Sequence, residues 1–141
     1  MAAHPTKPLE GGFSAAAVGA ARDALQDLVT SNAGITFAVL TSADGFEVAA
    51  YPREQPGLVQ RVAAMSSSLQ AVSDALAREV GIVRNRSLII ESEGGAVVLL
   101  GVATRIAPVC LAVVASERMN LGHMLWAARH CGASVERGMK L

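Results

Sequence analysis

Residues 57–80 read GLVQRVAAMSSSLQAVSDALAREV, and the fold prediction starts from this stretch. Apolar residues recur in steps of three and four, which places them on one face of an α-helix. They are Leu58, Val62, Met65, Leu69, Val72, Leu76 and Val80. The polar residues that fall largely off this stripe include Arg61, Gln70, Asp74 and Arg78. The pattern predicts an amphipathic helix roughly 35 Å long, since each residue adds about 1.5 Å.

The middle of this stretch, Ala63-Ala64-Met65-Ser66-Ser67-Ser68, is unusual because nearly all of its side chains are small. Serine is a poor residue for the interior of a helix, where its hydroxyl competes for backbone hydrogen bonds. Small side chains do, however, let another backbone come close. We therefore predict that this patch is a packing surface.

Two predicted strands come before the long helix. The elements in this part of the chain are a helix from Phe13 that ends at Ser31-Asn32-Ala33-Gly34, a strand over 35–40 and a strand over 46–51. The pair Asp44-Gly45 predicts a hairpin between the strands, because glycine adopts positive φ readily. Residues 1–12 contain two prolines and a glycine pair. We expect them to form a disordered tail before a single domain over 13–138.

Three strands and a helix are predicted after the long helix. They are strands over 87–91, 96–103 and 109–115, with a turn at Glu93-Gly94-Gly95, and a last helix that begins after the N-cap Asn120. The strands over 35–40, 96–103 and 109–115 are apolar on both alternations, so each should be covered on both faces. Placing these three inside gives the spatial order 2-1-5-4-3. The predicted fold is α/β (α+β), with helices on both faces of a five-stranded, mostly antiparallel sheet.

The third strand would lie at the edge of this sheet, yet it carries Leu88-Ile89-Ile90 without proline or lysine. An exposed apolar edge is an aggregation hazard that native chains normally avoid. Pairing with a second copy would extend the sheet across a two-fold axis and bring the small patch of the long helix against its own copy. We predict a homodimer; coverage of the edge by a loop is the alternative.

The composition is that of one folded domain with apolar surface to spare. The 141 residues are 52% hydrophobic and 17% charged, with a formal net charge of zero. No basic stripe is visible, so nucleic acid is not an expected partner. No segment has the ~20 apolar residues of a membrane span or the apolar core of a signal peptide. We expect a cytoplasmic protein, with Cys110 and Cys131 as buried thiols.

No group of residues predicts a catalytic centre, a metal site or a cofactor. His123 and His130 share a helix with Cys131, but they are seven residues apart, whereas helical zinc ligands are usually spaced i, i+4. The serine run lacks the G-x-S-x-G elbow of a nucleophile, and the chain has no GxxxxGK[ST] phosphate loop. The single tryptophan, Trp126, is expected to pack against the first helix, with an interface role as the alternative.

Four stretches, taken together, resemble the Roadblock/dynein light-chain family, especially its bacterial stand-alone members. They are 41–48 (TSADGFEV), 63–69 (AAMSSSL), 87–91 with 93–100 (SLIIE, EGGAVVLL), and Asn120-Leu121-Gly122 with Leu125-Trp126. The order and spacing of these stretches carry the resemblance, which covers about residues 14–137. Within the family the chain is most similar to the gliding-motility B-type regulators of bacterial Ras-like GTPases.

The resemblance implies a profilin-like arrangement, with two helices on one face of the sheet and the long middle helix on the other. It also implies a homodimer without an active site of its own. The implied dimer interface consists of Ala63, Met65, Ser66, Ser67, Leu69, Ser87, Leu88, Ile89 and Ile90. The implied partner is a small Ras-like GTPase, whose switch loops the dimer would reshape. The implied partner surface consists of Arg61, Ala64, Ser68, Ala71, Asp74 and Arg78.

Other functions remain open at this point. A scaffold that tethers proteins without an effect on GTP hydrolysis would use the same surfaces. A small-ligand sensor would need polar groups that converge in an apolar cavity between sheet and helix. The inward-pointing polar candidates for such a cavity are few, Thr36 and Thr41 at most. An enzyme is disfavoured because the catalytic motifs are missing.

Overall fold

The computed structural model describes residues 12–53, 55–82, 87–117 and 119–139. The elements follow the predicted order: α1 (Ala15–Ser31), β1 (Ile35–Ser42), β2 (Glu47–Tyr51), α2 (Pro56–Glu79), β3 (Ser87–Ser92), β4 (Gly95–Val102), β5 (Val109–Ala115) and α3 (Leu121–Gly138). Residues 1–11 of the predicted tail lie outside the described residues. The boundaries of the domain over 13–138 stay a prediction.

The five strands form one antiparallel sheet in the order β2-β1-β5-β4-β3, as predicted. The three doubly apolar strands occupy its interior, and β3 lies at one edge. Gly95 is required where β4 begins. A Cβ at this position would lie 2.0 Å from the carbonyl oxygen of Ala115, so any other residue would push β4 away from β5.

The helices lie on both faces of the sheet, two on one face and one on the other, as the resemblance implied. α1 and α3 pack on the face that holds the larger core, where Leu25, Leu111 and Met124 are fully buried. α2 lies on the opposite face, where Val59 and Ala63 pack with strand residues of a smaller core. Because of this arrangement, α2 is the one helix on its side of the sheet among the described residues.

α3 begins as the sequence predicts but presents a different outer face. The Asn120 side chain caps its first turn by accepting a hydrogen bond from the His123 backbone N–H at 2.8 Å. Trp126 does not pack against α1, and that prediction is wrong. Its side chain is 61% exposed and stacks between His123 and His130, because residues three and four apart share a helix face that here points to solvent.

Both cysteines are buried free thiols, as predicted. Burial raises the pKa of Cys110 to about 11, and burial raises that of Cys131 to about 12. At neutral pH both side chains are therefore protonated and behave as small apolar groups. In the described part of the chain, no helix combines the length and apolarity that crossing a membrane requires.

Candidate functional site

The side of α2 that faces the sheet is built from short side chains. Val59, Ala63 and Ser66 are its buried residues, and Ala63 and Ser66 expose 0% and 4% of their surface. Short side chains bring the helix close to the strands below it. Two residues of the small patch, Ala63 and Ser66, therefore pack against the sheet of their own chain.

The hairpin between β1 and β2 is held against the same part of α2. The Ser67 hydroxyl donates a hydrogen bond to the Ala43 carbonyl at 2.8 Å. Gly45, with φ of +89°, lies beside α2, and a Cβ there would be 3.6 Å from the Cα of Ala64. Such an approach requires small side chains on the helix. The patch that was predicted to meet a second copy thus contacts the chain's own hairpin.

This packing divides the helix residues that were predicted at the dimer interface. The prediction is wrong for Ala63 and Ser66, because burial against the chain's own sheet leaves them no surface for a partner. Ser67 is half-buried beside the hairpin. Met65 and Leu69, in contrast, are 56% and 40% exposed and stay a prediction.

Met65 and Leu69 belong to a line of exposed large side chains along one side of α2, here termed the apolar flank. Its members are Leu58, Met65, Leu69, Val72, Leu76 and Val80, with exposed fractions from 36% to 66%. Continuous exposed apolar surface is rare on soluble monomers and marks interaction sites. The predicted interface omitted Val72, Leu76 and Val80, although they repeat in the same steps of three and four.

The edge strand β3 lies on the same side of the molecule as this flank. Leu88 of β3 and Val62 of α2 pack against one cluster formed by Leu99, Cys110 and Ala112. Ile90, two residues after Leu88, shares its face of the sheet, whereas Ile89 faces the side of α1 and α3. Ile89 and Ile90 are 40% and 42% exposed, and Ser87 and Leu88 are half-buried. All four remain predicted interface residues.

The other side of α2 borders a cleft of about 550 Å³, here termed the α2 groove. Its lining comes from α2, from the hairpin and from the ends of β4 and β5: Ser67, Gln70, Ala71, Asp74, Ala77, Arg78, Ser42, Ala43, Gly101, Val102, Ala103, Pro108, Val109 and Cys110. Three residues of the predicted GTPase surface, Ala71, Asp74 and Arg78, are among them. Ala64 and Ser68 are exposed on adjoining turns, and Arg61 is exposed on the outer side of the helix between the two flanks.

Hydrogen bonds and charges give the α2 groove a polar wall. Gln70 Nε2 donates to Asp74 Oδ1 at 3.2 Å, and the Cys110 thiol donates to Gln70 Oε1 at 3.8 Å. Asp74 and Arg78 form no ion pair within the described residues, where the ion pair found joins Arg53 to Glu47. The groove thus presents an acid and a base that do not neutralise each other by direct contact.

Elsewhere the described residues hold no cluster of three or more histidine, cysteine or acidic side chains that would bind a metal ion. Phe46, which was predicted to lie in a strand, belongs to the hairpin turn and has 68% of its surface exposed. It stands beside Gly45, on the part of the hairpin that contacts α2. Neither the spacing nor the periodicity of the sequence predicted that Phe46 would be exposed beside α2.

Comparison with protein families assigns the fold. The family model described as the Roadblock/LC7 domain matches residues 21–115. The chain belongs to the Roadblock/LC7 family. This confirms the resemblance drawn from the four sequence stretches. Comparison with curated proteins finds no match.

Solved Roadblock/LC7 structures share the fold over nearly their whole length. The gliding protein MglB of Thermus thermophilus is 19% identical, with 96% of this chain and 98% of that chain covered and a TM-score of 0.76. MglB of Myxococcus xanthus is 15% identical, with 85% and 87% covered and a TM-score of 0.75. A Roadblock/LC7 domain from Streptomyces avermitilis is 21% identical, with 82% and 94% covered and a TM-score of 0.73.

Proposed function

We propose that this Roadblock/LC7 chain is a non-catalytic regulator that acts as a homodimer. The dimer forms through the apolar flank of α2 and the edge strand β3. It binds a small Ras-like GTPase through the opposite flank and modulates the nucleotide cycle of that GTPase. The observation that carries the proposal is the exposure of six large apolar side chains along one flank of α2.

Burial of the apolar flank is the driving force for the dimer. A fully buried leucine, valine or methionine side chain contributes about 1.5–3 kcal/mol, and a two-fold interface uses each residue twice. β3 adds backbone hydrogen bonds, since its outer edge pairs with no other strand in the described part of the chain. Similarity to MglB agrees with self-association, because one MglB of this fold, 20% identical with a TM-score of 0.76, is described as having a tetrameric arrangement.

The flank that the dimer leaves uncovered suits a partner protein of another kind. Ala64, Ser68 and Ala71 are exposed small residues, so a partner's backbone can approach α2 closely there. Asp74 and Arg78 add one charge of each sign, which suits the polar composition of interfaces that form and dissociate. The resemblance to regulators of Ras-like GTPases supports a GTPase as that partner.

The proposed mechanism is conformational. A dimer that binds one arrangement of the switch loops more tightly than another shifts the GTPase toward that arrangement. It needs no catalytic side chain of its own. The same difference in affinity makes the binding of the dimer depend on whether GDP or GTP occupies the GTPase.

The test is a pull-down from native lysate with the tagged 141-residue chain, run with GDP and with a non-hydrolysable GTP analogue. We expect retention of a Ras-sized GTP-binding protein, identified by mass spectrometry, that is stronger in one nucleotide state. Ala71→Arg, at an exposed position of the predicted partner surface, should abolish this retention while light scattering still shows a dimer. Ala16→Arg, the same change at an exposed position of α1, should retain the GTPase.

Three outcomes would contradict parts of the proposal. Retention that survives Ala71→Arg would mean that the partner surface lies elsewhere. Retention that is equal in both nucleotide states, with no effect on hydrolysis or exchange, would favour the scaffold function. Failure to retain a GTP-binding protein in either state would remove the support for a GTPase regulator.

A small-ligand sensor is the second candidate, and the α2 groove is the observation that favours it. Gln70, Asp74 and Arg78 converge there on a cleft whose remaining lining is mostly apolar. Thr36 and Thr41 do not contribute to this cleft. The Thr36 hydroxyl forms a hydrogen bond with the Ser116 hydroxyl, and the Thr41 hydroxyl donates one to the Phe46 carbonyl. A rise in the melting temperature with a small charged metabolite, lost in Asp74→Ala, would support the sensor.

A further inference from the structure

We propose that Phe46 is the anchor residue with which this chain holds its GTPase. The exposed ring would fill an apolar pocket of the partner, beside the small side chains of α2. Phe46 has this role only if the proposed function is correct, because the residue would extend the same partner surface.

Phe46 has the most exposed side chain among the large apolar residues of the described chain. It exposes 68% of its surface, whereas the main core covers Phe13 and leaves 1% exposed. Aromatic residues are enriched at protein interfaces, because one ring buries a large area and has few rotatable bonds. The exposed ring therefore marks Phe46 as a candidate contact residue.

The backbone of Phe46 is fixed although its ring is free. Its N–H donates to the Ser42 hydroxyl at 3.2 Å, and its carbonyl accepts from the Ser42 N–H at 2.9 Å and from the Thr41 hydroxyl at 3.0 Å. Every residue except proline offers these backbone groups, so the turn does not require an aromatic side chain at this position. A fixed backbone also lowers the entropy that is lost when a partner covers the ring.

The turn that carries Phe46 is attached to the groove side of α2. The Ser67 hydroxyl donates to the Ala43 carbonyl at 2.8 Å, and a Cβ on Gly45 would lie 3.6 Å from the Cα of Ala64. Ala43 also lines the α2 groove. Phe46 therefore belongs to the hairpin end of this groove, next to the small residues of the predicted partner surface.

The proposed dimer leaves Phe46 uncovered. Ser67 is two residues from both Met65 and Leu69, and about 100° per residue puts it roughly 160° from each around the helix. The turn that Ser67 holds is thus on the far side of α2 from the apolar flank. β2, which follows Phe46, is also the edge opposite β3, about 19 Å away across four strand spacings. The ring is therefore placed for the partner of the groove flank and not for a second copy.

The test measures the affinity of the GTPase that the wild-type chain retains, expressed alone and loaded with GDP or with a non-hydrolysable GTP analogue. In calorimetric titrations, Phe46→Ala should weaken binding in the preferred nucleotide state by about 10-fold to 100-fold, as expected when one aromatic side chain is no longer buried. Phe46→Leu, which keeps an apolar side chain, should recover most of the affinity. Trp126→Ala is the matched control and should bind like the wild type, because Trp126 is 61% exposed on α3, on the other face of the sheet.

Folding and dimerisation should not respond to these changes at Phe46. Most of its ring is in water, so Phe46→Ala should keep the melting temperature of the wild type. Light scattering should give the same molar mass for both. A loss of GTPase affinity without a change in either property would separate a contact residue from a residue that stabilises the hairpin.

The outcomes distinguish this role of Phe46 from the proposed function. If Phe46→Ala binds the GTPase as tightly as the wild type while Ala71→Arg does not bind, the anchor is refuted and the proposed function stands. If the wild-type chain retains no GTP-binding protein, both are refuted. Equal losses of affinity in Phe46→Ala and Trp126→Ala, or a monomer in Phe46→Ala, would also overturn the assignment of Phe46.

Discussion

The two flanks of α2 belong to one helix and differ in chemistry. The apolar flank exposes Val72 and Leu76 at 66% and 63%, whereas the groove flank carries Ala71, Asp74 and Arg78. Neither flank is the side of α2 that packs against the sheet. That side consists of Val59, Ala63 and Ser66. Much of the most hydrophobic stripe of this helix therefore stays uncovered in the single chain. It is available for association, and the flanks differ enough to suit partners of different chemistry.

The largest expected effect comes from charging the apolar flank. Leu76→Lys should dissociate the proposed dimer, because each copy loses about 1.5–3 kcal/mol of apolar burial and a two-fold interface loses it twice. The dimer dissociation constant should rise by roughly 10²–10⁴. Size-exclusion chromatography with light scattering measures the change. Ala75→Lys, one residue earlier and turned away from the flank, is the matched control, and a dimer that survives Leu76→Lys would refute the assignment.

Charge placed on the edge strand should have a somewhat smaller effect that depends on the face. Ile90 shares a face with the apolar flank, whereas Ile89 lies opposite Val98 on the other face. Both Ile90→Lys and Ile89→Lys should weaken the dimer, and Ile90→Lys more. Analytical ultracentrifugation gives the two dissociation constants. Equal effects would show that the pairing of strand edges, rather than the apolar flank, dominates the interface.

The two thiols should make stability depend on pH above neutrality. Burial raises the pKa of Cys110 to about 11 and of Cys131 to about 12, whereas an unfolded thiol titrates near 8.5. The fold favours the protonated thiols, so their contribution is complete below pH ~8.5 and is lost as the pH rises toward the folded values. Unfolding free energy should fall by roughly 1–2 kcal/mol between pH 7.5 and 9. Cys110→Ser, which removes the thiol beneath the groove, should reduce this slope, and an unchanged slope would contradict the assignment.

The smallest effect tests the side of α2 that holds the hairpin. Ser67→Ala removes the hydrogen bond to the Ala43 carbonyl and should cost about 1 kcal/mol of unfolding free energy, measured in urea. The dimer dissociation constant should not change, because Ser67 is not on the apolar flank. Ser68→Ala, at an exposed neighbour, should change stability by less than about 0.5 kcal/mol. A weaker dimer in Ser67→Ala would show that Ser67 belongs to the dimer interface.

Most of the fold follows from local patterns. The doubly apolar strands were predicted at the centre of the sheet and β3 at its edge, and both positions are confirmed. Asp44-Gly45 predicted the hairpin, and Gly45 has the positive φ that the turn requires. These predictions succeed because strand burial and turn geometry depend on residues that are neighbours in the sequence.

The site was predicted only in part. The periodicity of α2 marked the apolar stripe but did not say which side of the helix would meet the sheet. The small patch was therefore assigned to a second copy, although Ala63 and Ser66 pack inside the chain. Trp126 was predicted to pack against the first helix, and its exposed stack with two histidines was not predicted.

The sequence by itself determined the order of the elements, the antiparallel sheet and the presence of one helix with an apolar stripe. Tertiary structure alone decided the orientation of that helix. Which side of α2 faces the sheet depends on contacts between residues far apart in the chain, such as Ser67 with Ala43 and Val59 with Val39. Short side chains let α2 lie close to the sheet and hairpin, and the larger ones were left on the flank. A hydrophobic pattern states which residues leave water, whereas packing decides whether the chain itself or a partner covers them.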